Sequence, residues 1–409
     1  MRDEHEERIR ELLLIQRVAQ RISSILDLER LLEEILEDVC RTFGYRRFTV
    51  WLKDDATNEL VLHGWSGTHY SEGDRFRIGV DGIVGHVGAT LKTYYAPNVL
   101  VDPYYRLSEE QSRSELAVPL LAGGRLIGIF DIEHTELDAF PPPRIQLLEA
   151  LAGHVATAVE NARLFRQERL EKERMADELR EARRIQIGLF PAQAPETSGF
   201  AIESRCIPCR EVGGDWFDYL PLDDGRFGIT VADVSGKGLA AALLMSSTRS
   251  ILRLLAEDGR APGEVLRRIN RTLLKDLPAA RFVTMIYAVL EPARGRLVFA
   301  SAGHPYPLLV DSAGGRFLAT EAGFPLGLRD GPFAERDVEL PAGSRLLFYS
   351  DGLPEATSPA EEEYGTERIR RHFDSESATV GSLLEDVRGF VSGAPAADDL
   401  TAVLIRATG

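Results

Sequence analysis

No proline stands between Pro143 and Pro191, and this interval divides the chain more firmly than any other feature of the sequence. Proline removes a helical hydrogen bond and clashes with the preceding turn, so its absence predicts one helix running from the Pro141–Pro143 triplet to about Gly188. Residues 166–184, RQERLEKERMADELREARR, are dense in both charges, the pattern of a solvated helix or a coiled coil. An apolar seam can be traced through Leu151, Ala158, Phe165, Met175, Leu179, Ala182 and Leu189, interrupted by His154, Asn161, Glu168, Lys172 and Gln186. Polar residues in such a seam fix register at a cost in stability. Strand-like segments stand on both sides of the helix, so the chain reads as two α+β domains and a helical connector.

Length agrees, since 409 residues at about 150 per domain give two to three domains. The balance 48 − 64 gives a net charge of −16, which provides no basic field for nucleic acid or anionic lipid. Neither is expected as a partner. Three cysteines, Cys40, Cys206 and Cys209, cannot build a disulfide framework, and the Cys206/Cys209 pair lacks a second pair to complete a zinc site. Residues 1–24 read as a charged amphipathic helix, with Ile9, Leu12, Leu13, Val18 and Ile22 at three- and four-residue steps, and not as a signal peptide or membrane span. A cytoplasmic protein is expected.

Within residues 25–165, RRFTVWLKDD and NELVLHGWSG alternate like the strands of a hairpin. SELAVPLL and GRLIGIFDIE form a second pair across an AGG turn. After the connector at 166–190, residues 191–409 contain further strands (RFGITVADV, FVTMIYAVL, GRLVFASAG, SRLLFYSDG, LTAVLIRA) and helices near 238–256 and 262–275.

Four acidic sites in this second domain lie where an apolar strand gives way to a glycine-bearing turn or loop: EVGGDWFD, VADVSGKG, FYSDGLPEA and ADDLT. Aspartates, carbonyls and water suit Mg²⁺ or Mn²⁺ rather than zinc. Two such ions activate a shared water for displacement at phosphorus, and no separate nucleophile is then needed. None is evident, because Ser235, Ser301 and Ser350 lack a Gly-x-Ser-x-Gly elbow.

These segments, with SAGHPYPLL, FPLGL and the approach helix ARRIQIGLFP, resemble the SpoIIE/RsbU-type serine phosphatases, a branch of the metal-dependent type 2C protein phosphatases. The resemblance covers roughly residues 183–409 and implies an αββα sandwich around two Mn²⁺ or Mg²⁺ ions. It implies that Asp215 binds one metal, that Asp233 bridges both with the Val234 carbonyl as a further ligand, and that Asp351 and Asp398 complete the other ion's ligands. Asp399 is then a supporting residue, and Asp218 a strand-end carboxylate. Ser301 replaces the family's usual asparagine, and Ser235 stands where eukaryotic relatives carry a candidate acid histidine. Leaving-group protonation is unassigned, with His304 expected to be buried and Lys237 open between a phosphate contact and a turn-stabilising role.

Residues from about 25 to 165, notably GIVGHVGATLKTYYAPNVLVDPYYR and LLEALAGHVATAVENARLF, resemble a GAF sensor domain. The ligand is not readable, and His63, His69 and His86 are expected to be structural. The two resemblances imply a GAF-regulated protein serine/threonine phosphatase acting on a phosphorylated STAS-type anti-sigma-factor antagonist, dimeric through the connector. The alternative is a catalytically silent GAF/phosphatase-like signalling scaffold.

Overall fold

The computed structural model describes residues 21, 25–67, 70–106, 112–277, 281–321, 323–393 and 396–408. The helix expected over residues 1–24 lies outside them apart from Arg21, as does His69. The chain divides into two compact units, Met1–Arg174 and Met175–Gly409.

The first unit is built on one antiparallel sheet. Its strands are β1 (Arg47–Asp54), β2 (Glu59–Ser66), β3 (Arg75–Arg77), β4 (Tyr94–Ala96), β5 (Ser114–Ala122) and β6 (Arg125–His134), in the order β3-β2-β1-β6-β5-β4. Both expected hairpins are present as the β1/β2 and β5/β6 pairs. Helix α1 (Leu28–Phe43) starts where Asp27 accepts a hydrogen bond from the Arg30 amide at 2.9 Å and ends at Gly44, whose φ of 73° favours glycine. Alternation along β1 sends Phe48, Val50 and Leu52 toward α1 and the start of α3 (Pro142–Leu189), and Trp51 toward α2 (Gly82–Thr90). Both faces of the sheet are thus covered. Leu151 and Ala158, seam positions by spacing, are buried in the first of these cores.

Helix α3 continues into the second unit. Its highly charged middle is exposed, and ion pairs one turn apart support it, among them Arg169–Glu173 at 2.9 Å and Lys172–Glu168 at 2.6 Å. Each is an exposed, solvent-screened pair and individually weak, so helix propagation there is local and cumulative.

The second unit is a four-layer sandwich. One sheet has the order β14-β11-β10-β9-β8, from β8 (Trp216–Pro221), β9 (Phe227–Val234), β10 (Val283–Glu291), β11 (Arg296–Ala302) and β14 (Glu335–Glu339). The other has the order β13-β12-β15-β16-β7, from β7 (Phe200–Ile207), β12 (Leu308–Asp311), β13 (Gly314–Phe317), β15 (Arg345–Tyr349) and β16 (Leu400–Ala407). Ile229, Val231, Ile286 and Phe299 of the first sheet meet Leu346, Phe348, Val403 and Ile405 of the second. The intervening residues Ala232, Val234 and Met285 pack outward against α4 (Leu239–Ala256) and α5 (Pro262–Asp276). Helices α6 (Gly365–His372) and α7 (Val380–Phe390) cover the second sheet through Ile369, Leu383 and Val387. Because both faces of each sheet are covered, the central strands read as nearly continuous apolar runs. By length and composition alone α4 could cross a membrane, but it packs on β8, β9 and α5.

Candidate metal centre

Antiparallel pairing decides where the four aspartates go. Asp215 immediately precedes β8 and Asp233 is the penultimate residue of β9, so the β8/β9 pairing puts them at the same end of the first sheet. Asp351 follows β15 and Asp398 precedes β16, which places both at one end of the second sheet. The two ends lie close together. Electrostatic coupling records the convergence: Asp233 feels Asp351, Asp398 and Asp399, and Asp215 feels Asp233.

Crowding of this kind opposes ionisation. Burial, and then the Asp351 charge, pushes Asp233 up to about 7. Asp215 is raised well above the usual carboxylate range by burial and by Asp233, against the smaller opposing effect of the Ser350 and Thr401 hydroxyls. Asp351 is raised by burial and by Asp398. Asp215 and Asp233 are close enough to hydrogen-bond each other. The donors of this set are the hard oxygens a divalent cation takes.

The backbone is shaped to admit close approach. A side chain at Gly214 would come within 2.8 Å of the Val234 carbonyl oxygen and 3.3 Å of Asp233 Oδ1, and one at Gly352 within 2.1 Å of the Asp399 carbonyl. Asp399, buried behind this loop, accepts hydrogen bonds from the amides of Cys209 at 2.8 Å, Gly214 at 2.8 Å and Asp215 at 3.3 Å. It therefore holds the Gly213–Asp215 segment in place. Lys237 pairs with Asp398 at 2.9 Å and also donates to the Ala397 carbonyl, which ties the 235–238 turn to the second sheet. Cys209, Asp398 and Asp399 bring three ligand atoms within 4.8 Å of one another. Burial raises the Cys209 thiol to about 11 and that of Cys206 higher, so neither is a ready thiolate.

Gln186 carries a role that spacing does not suggest. Read in sequence as a polar interruption of a seam, it is buried and makes two hydrogen bonds to Gly213: its Nε2 donates to the Gly213 carbonyl at 2.7 Å, and its Oε1 accepts from the Gly213 amide at 3.1 Å. The end of α3 is thereby clamped to the loop that carries Asp215. A cleft of about 490 Å³ adjoins the clamp, lined by Gln186, Phe190, Ile202, Cys206, Asp215 and Phe217 among others. Asp233, Asp351 and Asp398 do not line it. Asp218 is fully buried and held by Arg253 at 2.7 and 2.8 Å and Arg249 at 3.0 Å, which fastens α4 to β8. His304 is buried with Nδ1 2.9 Å from Thr284 Oγ1, and burial depresses it to about 3, so it stays neutral. Ser301 Oγ accepts from the His304 amide at 3.2 Å, a local hydrogen bond. Ser235 Oγ accepts from the Phe282 amide at 2.9 Å and serves the turn.

A GAF-type sheet joined to an αββα sandwich with a glycine-lined acidic cluster defines the class: a sensor domain coupled to a type 2C-like phosphatase fold. The Stage II sporulation protein E (SpoIIE) family matches residues 223–408, and the GAF domain family matches residues 27–159. The chain thus carries a GAF domain followed by a SpoIIE-type domain. Phosphoserine phosphatase RsbU of Bacillus subtilis (strain 168) is 30% identical over 186 residues, 45% of this chain and 55% of the relative. Phosphoserine phosphatase RsbP of the same organism is 30% identical over 179 residues, 42% of this chain and 44% of the relative. The chain thus spans about half the length of these curated relatives. The SiaA-PP2C domain of Pseudomonas aeruginosa shares the fold, with a TM-score of 0.52 at 21% identity over 58% of this chain and 98% of that one.

Proposed function

We propose that this chain is a divalent-metal-dependent protein serine/threonine phosphatase regulated by its GAF domain. The observation that carries the reading is the convergence of Asp215, Asp233, Asp351 and Asp398 at one end of two facing sheets, with Asp215 and Asp233 close enough to hydrogen-bond each other. Asp215 would hold one ion, Asp233 both, with the Val234 carbonyl as a further ligand, and Asp351 and Asp398 the other. When bound, two Mn²⁺ or Mg²⁺ ions supply an activated water and a clamp on the phosphoryl oxygens. The chain's own part is positional: Asp399 and Gln186 hold the Asp215 loop, Asp218 with Arg249 and Arg253 fixes α4, and Lys237 steadies the loop of Asp398.

The relatives named as phosphoserine phosphatases favour a phosphoserine or phosphothreonine protein as substrate, by the family resemblance a STAS-type anti-sigma-factor antagonist. Once dephosphorylated, that protein would be free to capture its anti-sigma kinase. The proposed segments are a GAF domain at 25–165, a connector at 166–190 and a phosphatase domain at 191–409, acting in the cytoplasm. Exposed Phe165 and Met175 and half-buried Leu179 and Ala182 support homodimerisation along α3, and the Gln186 clamp supports transmission of a GAF signal to the Asp215 loop. Hydrolysis of para-nitrophenyl phosphate and of a phosphoserine protein by the full chain, with and without Mn²⁺ and EDTA, tests the reading. Metal-independent turnover, or none with metal, overturns it.

A further inference from the structure

Two like charges face each other in the second unit, far from the aspartates. Asp351 follows β15 and Asp398 precedes β16; at the other end of the same two strands the register places Arg345 directly opposite Arg406. Both lie on the face that carries Leu347 and Leu404 to α6 and α7. Like charges directly opposite one another destabilise a sheet. Burial, and then the Arg406 charge, lowers the Arg345 guanidinium, against the opposing effect of Glu376. Among the described residues the two side chains bond only to carbonyls of the connection between α6 and α7. Arg345 donates to Phe373 at 2.9 Å and to Ser375 at 2.6 Å, and Arg406 donates to Ala378.

A cavity of about 560 Å³ adjoins the pair, lined by Asp311, Ser344, Arg345, Glu376, Arg406 and Thr408 among others. Its size is that of a small-molecule site. Ser344 is 2% exposed, and its main chain is engaged: the amide donates to the Pro341 carbonyl at 3.0 Å and the carbonyl accepts from Ala407 at 2.9 Å. Its buried hydroxyl has no partner among the described residues. The acids of the lining leave the arginines unanswered, since Asp311 pairs with Arg316 at 2.7 Å and Glu376 is exposed on the rim. Carbonyls occupy some of the five donors on each guanidinium but neutralise none of the charge. A carboxylate fills one guanidinium fork, whereas a phosphoryl group, with three oxygens and up to two negative charges, fills two.

We propose that this cavity binds a phosphoryl dianion, either free phosphate or the phosphate of a small ester, with Arg345 and Arg406 donating to its oxygens and the Ser344 hydroxyl supplying a further donor. The cavity is larger than one phosphorus and four oxygens fill, so the ester is the tighter ligand expected. No bond is made or broken there. The site stands at the opposite end of β15 and β16 from Asp351 and Asp398, so it does not depend on the phosphatase reading. Because the same guanidiniums hold the connection between α6 and α7, the ligand steadies the cover of the second sheet.

Calorimetry on the full chain near pH 8, in EDTA so that no metal holds phosphate at the aspartates, tests this with inorganic phosphate, glycerol 2-phosphate and acetate at matched ionic strength. Both phosphates are expected to bind saturably, one per chain, and whichever binds more tightly identifies the source of the phosphoryl group. Acetate is expected to bind at least about tenfold more weakly than either. Arg406→Gln should weaken both phosphates by about tenfold or more, and Ser344→Ala by about threefold. Glu376→Gln, which removes a negative charge from the rim, should tighten both by about twofold. Ser344→Ala and Glu376→Gln leave the arginine hydrogen bonds in place, so they decide the matter even where Arg406→Gln fails to fold. No saturable heat from either phosphate up to about 20 mM, acetate binding as tightly as phosphate, or unchanged affinity in Ser344→Ala and Glu376→Gln alike overturns the proposal.

Discussion

Each unit buries a group of carboxylates at close quarters, and the two groups differ in what the backbone offers them. In the second unit the acids sit at strand ends, where the ladder has stopped and amides and carbonyls are free to turn inward. Asp399 collects three amides there, and the Val234 carbonyl lies beside Asp233 across a glycine. In the first unit Glu115, Asp131 and Glu133 lie within the ladder, where sheet pairing engages the main chain. Side chains answer them instead: among the described residues, the Thr49 and Ser112 hydroxyls, Arg47, and the acids' own Glu115–Asp131 hydrogen bond. The same charge crowding is therefore relieved differently: at the strand ends backbone oxygens stand beside the acids as a hard metal ion requires, whereas within the ladder raised Glu115 and Asp131 hydrogen-bond each other.

The comparison can be broken first at the metal centre. Asp233→Asn should lower phosphatase turnover by roughly three orders of magnitude with folding intact by circular dichroism. Retention of half the parent rate in Mn²⁺ would remove Asp233 from the metal set. Next in size, Mn²⁺ should raise the melting temperature of the second unit in a concentration-dependent way, and EDTA should reverse it, because the ion binds the folded state alone. A melting temperature indifferent to Mn²⁺ would mean that the crowded aspartates are not relieved by metal.

In the first unit the sign of the pH dependence is the sharper test. The folded-state values of Asp131 and Glu115 lie above their unfolded ones, so between about pH 4 and 7 the native state binds more protons and stability falls as pH rises. Melting of this unit, followed across that range, should show the decline, and Asp131→Asn should flatten it. A parent that grows more stable with rising pH would contradict the buried trio. The smallest expected effect concerns the clamp. Gln186→Ala loses hydrogen bonds of about 1 kcal/mol in all and should raise the Mn²⁺ concentration for half-maximal rate about fivefold. An unchanged Mn²⁺ dependence would uncouple α3 from the Asp215 loop.

Much of this architecture is local, and local features are legible in a sequence. The proline-free interval, the alternating strands of both β hairpins in the first unit and the two helices behind Asp233 follow from spacing and breaker residues. The aspartates were visible for the same reason, as acids beside glycine where apolar runs stop. What the sequence left open depends on register between segments far apart in the chain. Leu151 and Met175 share one seam by spacing, yet one is buried in the core of the first unit and the other is exposed. Gln186 reads as a flaw in that seam until the fold sets it against Gly213, and Asp399 reads as an ordinary neighbour of Asp398 until three amides converge on it. Glu115 and Glu133 stand 18 positions apart with nothing to link them until the β5/β6 register places them face to face. Periodicity fixes which side of an element a residue occupies, because it is a property of one segment's own backbone; only packing between segments decides what that side meets.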